Sequence, residues 1–204
     1  MRLGVDNRVY PLLKRIIKNK HYIKMAFCTQ TLAGIARDCC ANQGGIREAY
    51  IGNYIDGAFT VSAGTITGVN TGASFYHYTF KKDTGSFTST LNVDNANGVN
   101  YVSTEVNFVF SRMETLKRIE MAALALGDLI LVVKDANGKF WGFGVEEPVN
   151  ASAGSAETGV ARGDANQYTI TLLDNASSFP MELTSDAITA LEAKVTEPSS
   201  AGSC

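Results

Sequence analysis

The chain has 204 residues, 45% of them hydrophobic and 19% charged, with 19 Gly, 4 Pro and a net charge of −2. This is long and apolar enough for one globular core, and the Gly-rich, Pro-poor balance suits short strands joined by tight turns. No apolar run reaches the roughly 20 residues a membrane-spanning helix needs, and the body's basic residues are too scattered for a sequence-reading DNA surface.

Residues 1–24 differ from the rest. They hold seven basic residues and one acid, a charge of +6 that leaves −8 for the other 180 residues. Pro11, Lys14 and Arg15 interrupt any signal-peptide core. Because Met25-Ala26-Phe27 reads as an ordinary protein start, this leader is expected to be extra translation from an upstream start codon. The alternative is a basic amphipathic arm for nucleic acid or a membrane surface, built on Tyr10, Leu12, Leu13, Ile16 and Ile17. Cys28, Cys39, Cys40 and Cys204 include no C-x-x-C pair, so free thiols in a reducing cytosol are expected. Leu32, Ile35, Ala36 and Cys39 recur at helical spacing and predict a short helical arm over 31–41, stopped by Gly44-Gly45.

Strand signals follow at 47–54, 58–62 and 65–69. Residues 74–82, 86–94 and 101–110 alternate with period two, which predicts an antiparallel meander with one buried face. A helix is then predicted over 111–127. Ser111 and Glu114 have capping-box spacing, and Gly127 stands where a left-handed residue commonly ends a helix. Leu116, Ile119, Ala123 and Leu126 form the face expected to pack on the body. On the opposite side Glu114 and Arg118 form an i, i+4 pair, and Met121 and Ala125 extend that side as apolar or small residues, as a helix covered a second time would need.

Residues 128–134 are almost wholly apolar, as in a central strand covered on both faces, and Asn137-Gly138 predicts a hairpin back to 139–145. There Trp141 and Phe143 alternate with Gly142 and Gly144, which leave room for close approach. Residues 146–165 are rich in Asn, Ala, Ser, Gly and Thr and read as a long functional loop. A strand over 166–174, a short one at 181–183 and a small helix over 185–195 complete the body, and 196–204 reads as a disordered tail. The predicted fold is mainly β, a sandwich or barrel of about eight to ten strands spanning 46–195 with one packed α-helix and a short C-terminal helix.

No catalytic constellation emerges. His21 lies in the leader, and His77, within a strand, is expected to meet a cross-strand partner. Asp128, Asp135, Glu146 and Glu147 flank a strand pair and read as strand-end solvation rather than a hydrolytic pair. Neither a metal, a cofactor nor an enzymatic activity is expected.

The runs Thr31-Leu-Ala-Gly-Ile-Ala-Arg-Asp-Cys39, Gly44-Gly-Ile46, Ser89-Thr-Leu-Asn-Val93, Phe110-Ser-Arg-Met-Glu-Thr115, Glu120-Met-Ala-Ala-Leu124 and Gly163-Asp-Ala-Asn166 resemble virion-type proteins encoded in phages and prophages of gut Bacteroidales. The layout is similar to phage tail-tube proteins and to the tubes of contractile injection systems. That resemblance implies a ring-forming homo-oligomer, read as hexameric, whose strands join between subunits into one barrel. The rings would stack, other tail proteins would be partners, and DNA would pass through an acidic lumen as non-specific cargo. It implies localisation to the virion tail after synthesis in the host bacterial cytoplasm. Contacts between subunits are expected at Glu114, Arg118, Met121 and Ala125 of the helix, at Lys82 and Asp83 of a turn, and at Gly154 and Ser155 of the long loop. The alternatives are a head–tail joining, tail-terminator or capsid-decorating protein, or a small-ligand or glycan-binding β-barrel.

Overall fold

A computed structural model describes residues 34–36 and 41–198. The chain divides into the compact units Met1–Cys40 and Ala41–Cys204, and the second is described below. The leader over 1–24 and most of the helix predicted over 31–41 lie outside the described residues.

The elements are β1 (Ile46–Asn53), β2 (Phe59–Ser62), β3 (Thr65–Val69), β4 (Phe75–Thr79), β5 (Gly85–Asp94), β6 (Val99–Ser111), α1 (Thr115–Leu126), β7 (Leu129–Asp135), β8 (Phe140–Phe143), β9 (Asn150–Glu157), β10 (Gln167–Ala176), β11 (Met181–Glu182), α2 (Ser185–Glu192) and β12 (Val195–Thr196). The fold is mainly β, as the sequence predicts. A six-stranded sheet runs β11-β8-β7-β1-β4-β12, a four-stranded sheet runs β5-β6-β10-β9, and β2 and β3 form a separate hairpin.

The two larger sheets pack face to face, as in a sandwich. Ala49, Ile51, Leu131, Val133 and Phe143 of the first meet Val106, Phe108, Ile170 and Leu172 of the second in one buried cluster. Strand β7 is buried on both faces because its other side, Ile130 and Val132, is also covered. On that side α2 packs against β3, and Ile66, Leu183, Ala187 and Leu191 are buried there. Thr184 caps α2 by accepting from the Ala187 N–H. The near-continuous apolar run of 129–133 is the sequence expression of this double coverage.

Close approach explains two strand glycines. A Cβ at Gly142 would lie 2.3 Å from Ile66 Cδ1, and one at Gly52 would lie 2.2 Å from the Ser74 carbonyl oxygen. The Gly52 neighbour is backbone and yields less readily than a side-chain tip. Gly52→Ala is expected to cost about 3 kcal/mol, the upper range for overpacking, measured by urea unfolding. A loss below about 0.5 kcal/mol, the level of a neutral surface change, would show that the β1–β4 region relaxes freely.

Four expectations are corrected. The three-strand meander does not form: β5 pairs with β6, but β4 pairs with β1 and β12 in the other sheet. Period two sets which face is buried, and the turn at Lys82–Gly85 redirects the chain to the second sheet; Phe80 follows it there, stacking on Phe108 at 4.7 Å. Secondly, the proposed long loop contains β9, which pairs with β10 across seven registered positions. Its sequence, NASAGSAE, has no β-branched, aromatic or large apolar residue, so its neighbour rather than its own propensity makes it a strand. The caps of α1 also differ. Ser111 ends β6, the N-cap is Glu114 without a side-chain cap bond, and Gly127 is extended at φ −85°, ψ 149° rather than left-handed. Lastly, Thr196, assigned to the tail, belongs to β12, and the remainder of that segment beyond 198 lies outside the described residues.

Candidate assembly surface

The four-stranded sheet is antiparallel throughout, and its outer strands are β5 and β9. Each leaves one row of backbone N–H and C=O groups without a strand partner among the described residues. Neither carries the Pro, Lys or Arg that often guards an edge strand, and the one such device present is a bulge in the β9–β10 pair. Indeed all four strands of this sheet lack Lys and Arg. The face turned away from the core is dominated by hydroxyls and amides, including Ser86, Thr88 and Thr90 of β5 opposite Asn107, Glu105 and Ser103 of β6. Thr171 Oγ1 donates to Asn107 Oδ1 across 2.6 Å.

On the core side β9 presents Ala151, Gly154 and Ala156 opposite Leu172, Ile170 and Tyr168 of β10. A bulge between Thr171 and Leu172 twists the pair. Helix α1 packs against β9. Between them lies an open groove of about 470 Å³, lined by Met121, Ala122 and Ala125 of the helix and by residues 151–156 of the strand. Small side chains on both walls keep it unfilled.

Helix α1 is rotated from the sequence expectation, so that the face predicted to pack on the body points outward while Glu114, Arg118 and Ala125 also stay exposed. Leu124 is buried and Met121 packs partly against the core. Leu116, Ile119 and Leu126 are 75%, 54% and 91% exposed. The outward stripe is thus the most hydrophobic side of the helix. The inward placement follows from how α1 is anchored. Arg112, at φ 66°, donates its N–H to Asn166 O at 2.7 Å, and Met113 N donates to Asn166 Oδ1 at 2.9 Å, which fixes the helix start beside β10. Lys117 Nζ donates to Ser111 O at 2.7 Å, and Tyr78 OH donates to Glu120. Burial raises the Tyr78 phenol, and the Glu120 carboxylate raises it further, so it remains a proton donor.

The residues singled out for assembly fall into separate groups. Met121, Ala125, Gly154 and Ser155 all line the groove. Glu114 stays on the helix surface, 3.0 Å from Arg112 Nε and 3.9 Å from Lys117 Nζ, and Arg118 is exposed. Lys82 and Asp83, with Asp83 at φ 63°, sit in the turn leading into β5, at the opposite edge of the sheet. The apolar end of the β5–β6 hairpin escaped sequence reasoning as an exposed surface. Leu91 and Val93 share the core-side face with Phe87 but are 51% and 53% exposed. The alternation was legible, but not that the opposing sheet stops short of them.

The carboxylates near the β7–β8 hairpin have structural partners. Asp128 accepts from Asn150 Nδ2 at 2.7 Å. Asp135 accepts from Asn137 N, Lys139 N and Trp141 Nε1, and Glu146 accepts from Ser177 N. His77 meets Tyr50 directly across the β1–β4 pair. Among the described residues no group of three metal-binding side chains forms, and no helix is long and apolar enough to cross a membrane.

Comparison with protein-family models, curated proteins and solved structures found no match.

Proposed function

We propose that this chain is a self-assembling virion structural protein of the tail-tube type, joined edge to edge into rings that stack around a nucleic-acid channel. The observation that carries this reading is the open four-stranded sheet, whose outer strands β5 and β9 carry no Pro, Lys or Arg and have no further strand partner among the described residues. Because four antiparallel strands alternate in direction, a copy of β5 laid beside β9 runs antiparallel to it, and the alternation continues without interruption from copy to copy. The contact is heterologous and closes into a ring when the rotation permits. Such pairing would satisfy both rows of open backbone groups. It would also bring the Lys81-Lys82 turn of one copy toward the Glu157 end of β9 in the next, an attractive arrangement of charge.

Two further features support the reading. The outward stripe of α1, the groove beside β9 and the apolar end of the β5–β6 hairpin together give more exposed hydrophobic surface than a monomer needs. A sheet face with no cation would let a polyanion pass without forming salt-dependent phosphate contacts. A joining, terminator or decorating protein would use similar edges but would not stack.

Electron microscopy and sedimentation velocity of the purified chain test this. Rings or tubes of constant diameter are the expected result, with stacked tubes marking the tail-tube role and single rings a joining or terminator role. A strict monomer at high concentration that also fails to assemble with other tail proteins would overturn the proposal.

A further inference from the structure

We infer that Asn97 is a site of spontaneous covalent modification, where the side-chain amide is lost and an aspartyl or isoaspartyl residue remains, and that the fold protects its counterpart Asn137. This assignment is independent of the assembly reading. The tripeptide Ala-Asn-Gly occurs twice, at 96–98 and at 136–138, and each copy turns a hairpin that opens on an aspartate. Locally the two turns are near copies. Gly98 and Gly138 are left-handed, at φ 67° and 83°. Asp94 Oδ1 accepts from Ala96 N and Asn97 N, as Asp135 Oδ1 accepts from Asn137 N and Lys139 N. A following glycine has no Cβ to shield its nitrogen from the asparagine side chain, so the local sequence makes both sites equally reactive.

The glycine nitrogen gives up its proton to solvent base and attacks the asparagine Cγ, closing a succinimide ring. The Cγ–Nδ2 bond breaks, and the nitrogen takes a proton from water and leaves as ammonia. Water then opens the ring at Cγ, giving Asp, or at the main-chain carbonyl carbon, giving isoaspartate. The balance is one water consumed and one ammonia released, with a carboxylate in place of the amide. The reaction needs a free glycine nitrogen, a side-chain amide able to swing onto it, and a backbone that can yield.

At Asn137 the fold withholds all three. The Gly138 N–H donates to Asp135 O at 3.2 Å. Asn137 Oδ1 accepts from Gln43 N, and its Nδ2 donates to Asn42 Oδ1 and to Gln43 O, each at 2.9 Å. The Ala136 N–H donates to Gly45 O at 3.0 Å, and β7 and β8 are held between β1 and β11. At Asn97 the conditions are met. No turn or loop hydrogen bond among the described residues uses the Gly98 N–H. The side chain has one partner, Asp94 Oδ2 at 2.6 Å from Nδ2, which lies within the same turn and moves with it. Pairing of β10 with β6 stops at Val102, so beyond that level β5 and β6 continue as a two-stranded ribbon, which opens far more easily than a sheet. Conversion removes the Asn97–Asp94 bond and sets two carboxylates side by side, and isoaspartate also lengthens the main chain. The modification therefore unpins the tip of the β5–β6 hairpin.

Ageing the whole chain at pH 8.5 and mapping its peptides by mass spectrometry tests this, since each conversion raises the peptide mass and isoaspartate is told from Asp by its fragments. In the folded protein Asn97 is expected to convert at least about tenfold faster than Asn137, the factor that retaining two or more hydrogen bonds supplies. In the chain unfolded by guanidinium the two sites should convert at similar rates. Equal rates in the folded protein, or a faster Asn137, would overturn the assignment. So would an Asn97 that stays intact when folded while it converts in the unfolded chain. A gap of the same size in the unfolded chain would also overturn it, because the cause would then lie outside the fold.

Discussion

Asp174→Asn is expected to stabilise this protein at pH 7.5, by on the order of 2 kcal/mol. Asp174 lies on β10, faces the core and is 6% exposed. Burial pushes its carboxyl up to about 6; a hydrogen bond from the Gly144 N–H opposes the rise, and the neighbouring Glu146 and Glu147 add to it. A carboxyl raised on folding binds its proton more tightly in the native state than in the unfolded chain. Its stabilising contribution is therefore complete below the unfolded value near 3.8 and is lost as pH rises through about 6. At neutral pH the native protein carries a buried charge that asparagine removes, while the amide oxygen can still accept from Gly144. Urea unfolding of both proteins at pH 7.5 and pH 4.5 checks this. The variant should lead at the higher pH, and the gap should close at the lower. A gap independent of pH would mean that Asp174 does not titrate in this range, and a destabilised variant would mean that the charge itself is required.

The second large effect concerns the outward stripe of α1. Leu116→Glu with Leu126→Lys should leave the thermal unfolding of the monomer nearly unchanged, because both side chains are mostly in solvent and surface changes usually stay within about 0.5 kcal/mol. The signs chosen also suit the helix dipole, with the acid in the first turn and the base in the last. Assembly should weaken by at least about 100-fold, as two desolvated charges at an interface would require. Met121→Glu provides the contrast. Met121 packs partly against the core, so this change should reduce folding and assembly together. If the double variant assembles normally, the stripe is not a contact between copies. If its monomer unfolds, the stripe is packed against something within the chain.

Much of the architecture was legible because local and tertiary demands agree. The run Leu129–Val133 is apolar on every residue, and the structure covers both its faces. Asn137-Gly138 turns the chain where expected, with Gly138 at φ 83°. Alternation along 167–174 puts Tyr168, Ile170, Leu172 and Asp174 inward, and the one polar member of that series is the unusual group. Nothing in the local pattern distinguishes an inward Asp from an outward one at the end of a strand. Its partner Gly144 and its neighbour Glu146 lie some thirty positions away, so its burial is a property of the packed sheets.

By itself, the amino-acid sequence determined most of the strand-forming segments, though not β9 or β12, together with the β7–β8 hairpin turn, the existence of α1 and the mainly β class, because these depend on side-chain periodicity and turn chemistry over a few residues. Which sheet each strand joins, the recruitment of Asn150–Glu157 as an edge and the face that α1 turns outward were decided only in three dimensions. The helix shows why. It has two sides able to meet apolar surface, and its own periodicity favours the Leu116–Leu126 side. The anchors at Asn166 and Tyr78 set its rotation instead, leaving Leu124 and Met121 to fill the core and the more hydrophobic stripe exposed.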